Sequence, residues 1–127
     1  MPDQLVNVRY MVDDVEAAVD FYTTHFGFSV RSNAAPAFAD VVRGQLRLLL
    51  SGPKSSAGRP MPDGRTPEPG GWNRIHFIVE DIAADVERLR SLGLMFRNDI
   101  VSGPGGQQIL LEAPSGNPIE LFQPAGA

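Results

Sequence analysis

The chain has 127 residues, 43% hydrophobic and 20% charged, with a formal net charge of −4 at pH 7. That length suits one domain with one real core, and the composition excludes general disorder. Cysteine is absent, which removes disulfides, thiolate metal sites and cysteine nucleophiles, and no basic stripe invites a nucleic acid.

The opening Met-Pro-Asp-Gln-Leu carries no cationic region ahead of an apolar stretch, so no export signal is expected. The longest apolar run, Leu48 to Leu50, is far too short to span a bilayer, so no membrane partner and a cytoplasmic location are expected. Residues 5–12 alternate as a strand, with Val8, Tyr10 and Val12 on one face and Asn7, Arg9 and Met11 on the other. Asp13-Asp14 supplies a helix N-cap, with Glu16 at capping-box spacing from Asp13. Val15, Ala18, Val19, Tyr22 and Phe26 follow as one apolar helical stripe, which Gly27 ends. Short strands are predicted over 28–32, 38–42 and 46–50, the last two joined across Arg43-Gly44-Gln45. From Ser51 to Gly71 the composition turns to Gly, Pro and Ser. At about twenty residues this linker exceeds ordinary loop lengths. It either lies over a site or a partner, or is a passive surface connection.

The pattern then starts again. Residues 74–79 form a strand with Ile75, Phe77 and Val79 on one face and Arg74, His76 and Ile78 on the other. Asp81 caps a helix with the stripe Ile82, Val86, Leu89 and Leu92, and Gly93 stops it. Strands are predicted over 95–101, 107–112 and 118–123, separated by Ser102-Gly103-Pro104-Gly105-Gly106 and by Pro114-Ser115-Gly116-Asn117.

A shift of about 67 residues superposes the two halves. Val12 falls on Val79, Asp14 on Asp81, Ala17 on Ala84 and Val19 on Val86 as identities. The expected fold is therefore α+β, one domain over 1–127 made of two tandem βαβββ repeats, about 5–51 and 72–124, with the linker at about 52–71. Each repeat covers one sheet face with a helix. The other faces of these curved mixed sheets are expected to form an open, barrel-like cavity with the helices outside. Asn7, Arg9, Met11, Arg74, His76 and Ile78 would face that hollow.

The run from Asn7 to Tyr22 closely resembles the first motif of the vicinal oxygen chelate superfamily, which includes glyoxalase I, bleomycin-resistance proteins, fosfomycin-resistance enzymes and extradiol dioxygenases. Phe26-Gly27-Phe28 continues that signature, and the ending from Pro114 to Phe122 resembles the superfamily's last hairpin. The resemblance implies this fold and a homodimer, with Leu94, Met95 and Phe96 as apolar rim residues. The reaction stays open, because the scaffold hosts many chemistries. Carried over by position, the superfamily's metal ligands fall on Asn7, Arg74, Leu48 or Leu49, and Glu120, and only Glu120 matches. An amide, a leucine and a permanent cation do not make a divalent-metal site, so no metal or other cofactor is expected.

Glu120 reads as a general acid or base, as an anchor for a ligand cation, or as the ion-pair partner of Arg74 or Arg9. His76 is a catalytic candidate or a satisfied polar residue, and His25 is a helix-terminal contact. Arg9 and Arg74 could hold a carboxylate or phosphate, and Trp72 either stacks on a flat ligand or enters a dimer seam. The expected binding set is Asn7, Arg9, Leu49, Trp72, Arg74, His76 and Glu120. The leading reading is a metal-independent binder of a small organic, anionic or oxygen-rich molecule, similar to drug-sequestering resistance proteins. The rivals are a lyase or isomerase that moves protons through Glu120 and His76, and a metal-dependent glyoxalase-like lyase or dioxygenase. Whether the chain is an enzyme stays open.

Overall fold

A computed structural model of the protein describes residues 5–126. The chain divides into two compact units at Gly70/Gly71. The first contains β1 (Val6–Met11), α1 (Val15–His25), β2 (Ser29–Ala34), β3 (Phe38–Arg43), β4 (Leu46–Ser51) and a 3-10 turn at Ser56–Gly58. Its sheet runs β1-β4-β3-β2, with β1 parallel to β4 and the other neighbours antiparallel. The second contains β5 (Ile75–Ile78), α2 (Ile82–Ser91), β6 (Met95–Phe96), β7 (Val101–Gly103), β8 (Gly106–Glu112) and β9 (Pro118–Pro124). Here β5 is parallel to β9, β8 lies antiparallel beside β9, and both β6 and β7 pair with β8. Two helices on two mixed sheets make the fold α+β.

The elements form where the apolar periodicity puts them. Val15, Ala18, Val19 and Tyr22 of α1 are buried, as are Tyr10, Val12, Ala39, Val41, Leu48 and Leu50 of the first unit. In the second unit Ile82, Val86 and Leu89 of α2 are buried, with Phe77, Ile109, Leu111, Ile119 and Leu121. Each large apolar side chain buried this way contributes about 1.5–3 kcal/mol. Tyr22 sits in this core with its hydroxyl buried and without a hydrogen bond. Burial, and secondarily Tyr10, push its pKa up, so it stays protonated.

Asp14 caps α1 by accepting from the Ala17 N–H, and Asp81 caps α2 by accepting from the Ala84 N–H. The capping box expected with Glu16 does not form, because Asp14 rather than Asp13 is the cap and the third helical residue is Ala17. Gly27 and Gly93 follow the two helix ends with φ of 71° and 87°, a conformation that costs other residues energy.

Two further expectations are corrected. Leu92 is 57% exposed rather than part of the buried stripe, because it is the C-terminal cap, where the helical path ends. The strand expected over 95–101 is broken into β6 and β7. Between them the Asn98 side chain accepts from the Leu110 N–H at 2.9 Å, taking a bond that a neighbouring strand would otherwise make. At the start of the linker Gly52, Ser55 and Gly58 are buried, and Ser55 caps the 3-10 turn. A Cβ on Gly52 would come within 2.7 Å of the Pro36 carbonyl oxygen, so this segment is seated on the first unit through glycine.

Candidate functional site

In the second unit, β5 and β9 align His76 with Glu120 and Ile78 with Phe122. The alternation buries Phe77 and leaves His76 and Ile78 exposed, and the register puts Glu120 and Phe122 on the same face as these two, opposite Phe77. The Glu120 side chain is only 9% exposed. Arg74 Nε donates to Glu120 Oε1 at 3.0 Å, and its Nη1 donates to the Trp72 carbonyl at 3.2 Å. The pairing left open between Arg74 and Arg9 thus goes to Arg74. His76 Nε2 stands 3.5 Å from the other carboxylate oxygen, and its ring lies 4.9 Å from that of Phe122. Beside Phe122 a hollow of about 260 Å³ is lined by Val101, Pro104, Gly106 and Gln108. This is near the lower end of small-ligand cavities.

Trp72 is 70% exposed, with the Arg97 guanidinium stacked over its ring at 4.8 Å. Arg97 also donates to Glu112 at 2.8 Å and to the carbonyls of Gly71 and Gly116 at 3.0 Å each. It ties the start of the second unit to the β8–β9 turn. Neither Arg97 nor Phe122 was singled out from the sequence. The polar run Arg97-Asn98-Asp99 inside an expected strand was the available signal.

In the first unit, Arg9 aligns with Leu49 and Asn7 with Arg47 across the β1–β4 pairing. Leu49 thus stands beside Arg9 as Glu120 stands beside His76, so Leu49 is the counterpart of Glu120, and Leu48 is buried in the core. Arg9 Nη1 donates to Ser51 Oγ at 2.8 Å. Asp40, fully buried, accepts hydrogen bonds from Ser32 Oγ and Arg47 Nε. Burial pushes its pKa up, but the Ser32 hydrogen bond and the hydrogen bond and charge of Arg47 outweigh this and hold it below the ordinary carboxylate value. Sequence reading missed this cluster. The signal was a lone acid, Asp40, between the apolar Ala39 and Val41 of a strand.

The sequence-derived residues therefore form two groups, one per unit: Trp72, Arg74, His76 and Glu120 in the second, Asn7, Arg9 and Leu49 in the first. The four positions carried over from the superfamily's metalloenzymes offer an amide, an alkyl chain, a guanidinium and one carboxylate. That carboxylate is already held by the guanidinium. Among the described residues no three His, Cys, Asp or Glu side chains gather as a metal-holding group. These donors do not fit a divalent ion.

The chain is similar over nearly its full length to several solved structures. One is a glyoxalase/bleomycin resistance protein/dioxygenase superfamily member from Sphaerobacter thermophilus DSM 20745, at 28% identity and a TM-score of 0.74, covering 97% of this chain and 98% of that one. Another is TnmS3, an antibiotic binding protein from Streptomyces sp. CB03234, at 25% identity and a TM-score of 0.71, covering 98% of each chain. Lactoylglutathione lyase from Agrobacterium tumefaciens shares the fold at 23% identity and a TM-score of 0.70, covering 96% of this chain and 94% of that one. No curated protein sequence matches significantly. Residues 4–121 match the family model of the Glyoxalase/Bleomycin resistance protein/Dioxygenase superfamily, and the chain belongs to that superfamily.

Proposed function

We propose that the protein binds a small organic molecule on a helix-free sheet face, without a metal ion. The observation that carries this reading is the Arg74–Glu120 ion pair. The one carboxylate at a ligand position of the superfamily's metalloenzymes is engaged by a guanidinium, which supplies the positive charge a metal would bring. Ile78, Phe122 and the face of His76 offer apolar and aromatic contact, and the Arg74–Glu120 pair adds directional polar groups. Such a surface needs only shape and charge match. The similarity to an antibiotic-binding structure is in keeping with that. Exposed Leu92 and Met95 support a homodimer as the working assembly.

The test is a thermal-shift screen of small organic molecules on the purified protein, followed by chemical recovery of each bound compound. The reading expects stabilising compounds that return unchanged, with Glu120→Gln altering affinity by no more than a few-fold. Conversion of a bound compound, lost in Glu120→Gln, would instead establish the lyase or isomerase reading.

A further inference from the structure

Arg47, Arg74 and Arg97 are each spent on a carboxylate, of Asp40, Glu120 and Glu112 respectively. Arg9 differs. It takes part in none of the ion pairs among the described residues. Its side chain donates to the neutral hydroxyl of Ser51, which is fully buried and therefore a fixed post. A guanidinium has five N–H donors in a rigid fork, and this contact uses one. Leu49 is its register partner, so the exposed cation borders an apolar neighbour that strengthens ionic contacts. Arg47, beside Asn7 on the same face, adds no free charge, because Asp40 holds it.

We infer that Arg9 anchors an anionic group, a carboxylate or a phosphate, of a small molecule bound on the sheet of the first unit. This deepens the binding reading above and rests on it. Ser51 positions the guanidinium in advance, so little side-chain entropy is lost when the anion docks. The anion meets parallel N–H donors that match its oxygens in bidentate fashion.

The experiment titrates the full chain with benzoate, with inorganic phosphate and with neutral benzamide, following the backbone amide signals of Arg9, Leu49 and Ser51 by NMR. Saturable shifts are expected with benzoate or phosphate, and the stronger of the two identifies the preferred anion. Arg9→Gln should raise the Kd about tenfold or more, and Arg9→Lys, which keeps the charge but loses the fork, should recover only part. Lys54→Gln removes an equal charge at an exposed linker position and should change the Kd less than twofold. Arg9→Lys also serves as the informative variant if Arg9→Gln folds poorly. The inference is overturned if neither anion binds, if Arg9→Gln binds as tightly as the parent, or if Lys54→Gln weakens binding equally. Benzamide bound as well as benzoate, with no dependence on Arg9, would leave the binding reading standing and remove this one. A protein that no small molecule stabilises would remove both.

Discussion

A carboxylate whose side chain is 9% exposed, as at Glu120, gives up most of its water on folding, and the Arg74 guanidinium at 3.0 Å replaces that solvation. Removing one partner leaves the other charge buried and uncompensated, whereas removing both replaces a costly pair by apolar contact. Arg74→Met should therefore lower the unfolding free energy by about 1–3 kcal/mol in urea titrations, and Arg74→Met/Glu120→Leu should recover most of it. Asp40 carries a similar argument into pH. Its folded pKa lies below the unfolded value near 3.8, so its stabilisation is present above that value and is lost as pH falls through the folded one. Asp40→Asn should cost about 2 kcal/mol at neutral pH, and the gap to the parent should close in acid, as read by unfolding at several pH values. The Arg74–Glu120 pair was legible because the strand alternation and the family resemblance both pointed at it. Asp40–Arg47 was not. Asp40 aligns with Leu49 and Arg47 with Val42, so the pair is diagonal and follows from the hairpin register, which residue spacing alone does not give.

At the level of elements, caps and glycines set boundaries, and they read well from sequence where the chemistry is local. The caps Asp14 and Asp81 and the stops Gly27 and Gly93 needed no tertiary information. What escaped was set by distant partners: the Asn98 side chain that interrupts the β6–β7 segment, and the glycines that let the linker lie against its own unit. Gly106 is the sharpest such case. At φ 147° a Cβ would come within 2.1 Å of the Gln123 carbonyl oxygen and 3.0 Å of the Phe122 ring. Gly106→Ala should thus cost about 3 kcal/mol or prevent folding, and disturb the Phe122 hollow. Asp81→Ala, which loses one cap bond from Ala84, should cost about 1 kcal/mol. Thermal unfolding of the two variants checks both the size and the order of these effects.

Over the whole molecule, duplication accounts for most of what sequence could give. Each unit repeats a strand, a capped helix and an antiparallel set returning parallel to the first strand, with identities such as Val12/Val79 and Asp14/Asp81. The repeats have diverged where their chemistry differs: Leu49 stands where its counterpart is Glu120, and Asn7 where its counterpart is Arg74. Metal-site positions occupied by an amide, an alkyl chain and a cation–carboxylate pair are the basis for proposing a binder that works without an ion. Elemental analysis of the purified protein, before and after chelation and paired with ligand-binding measurements, tests this most directly. The account predicts transition metal far below one ion per chain and ligand affinity unchanged by the chelator. One ion per chain, removed together with binding, would contradict it.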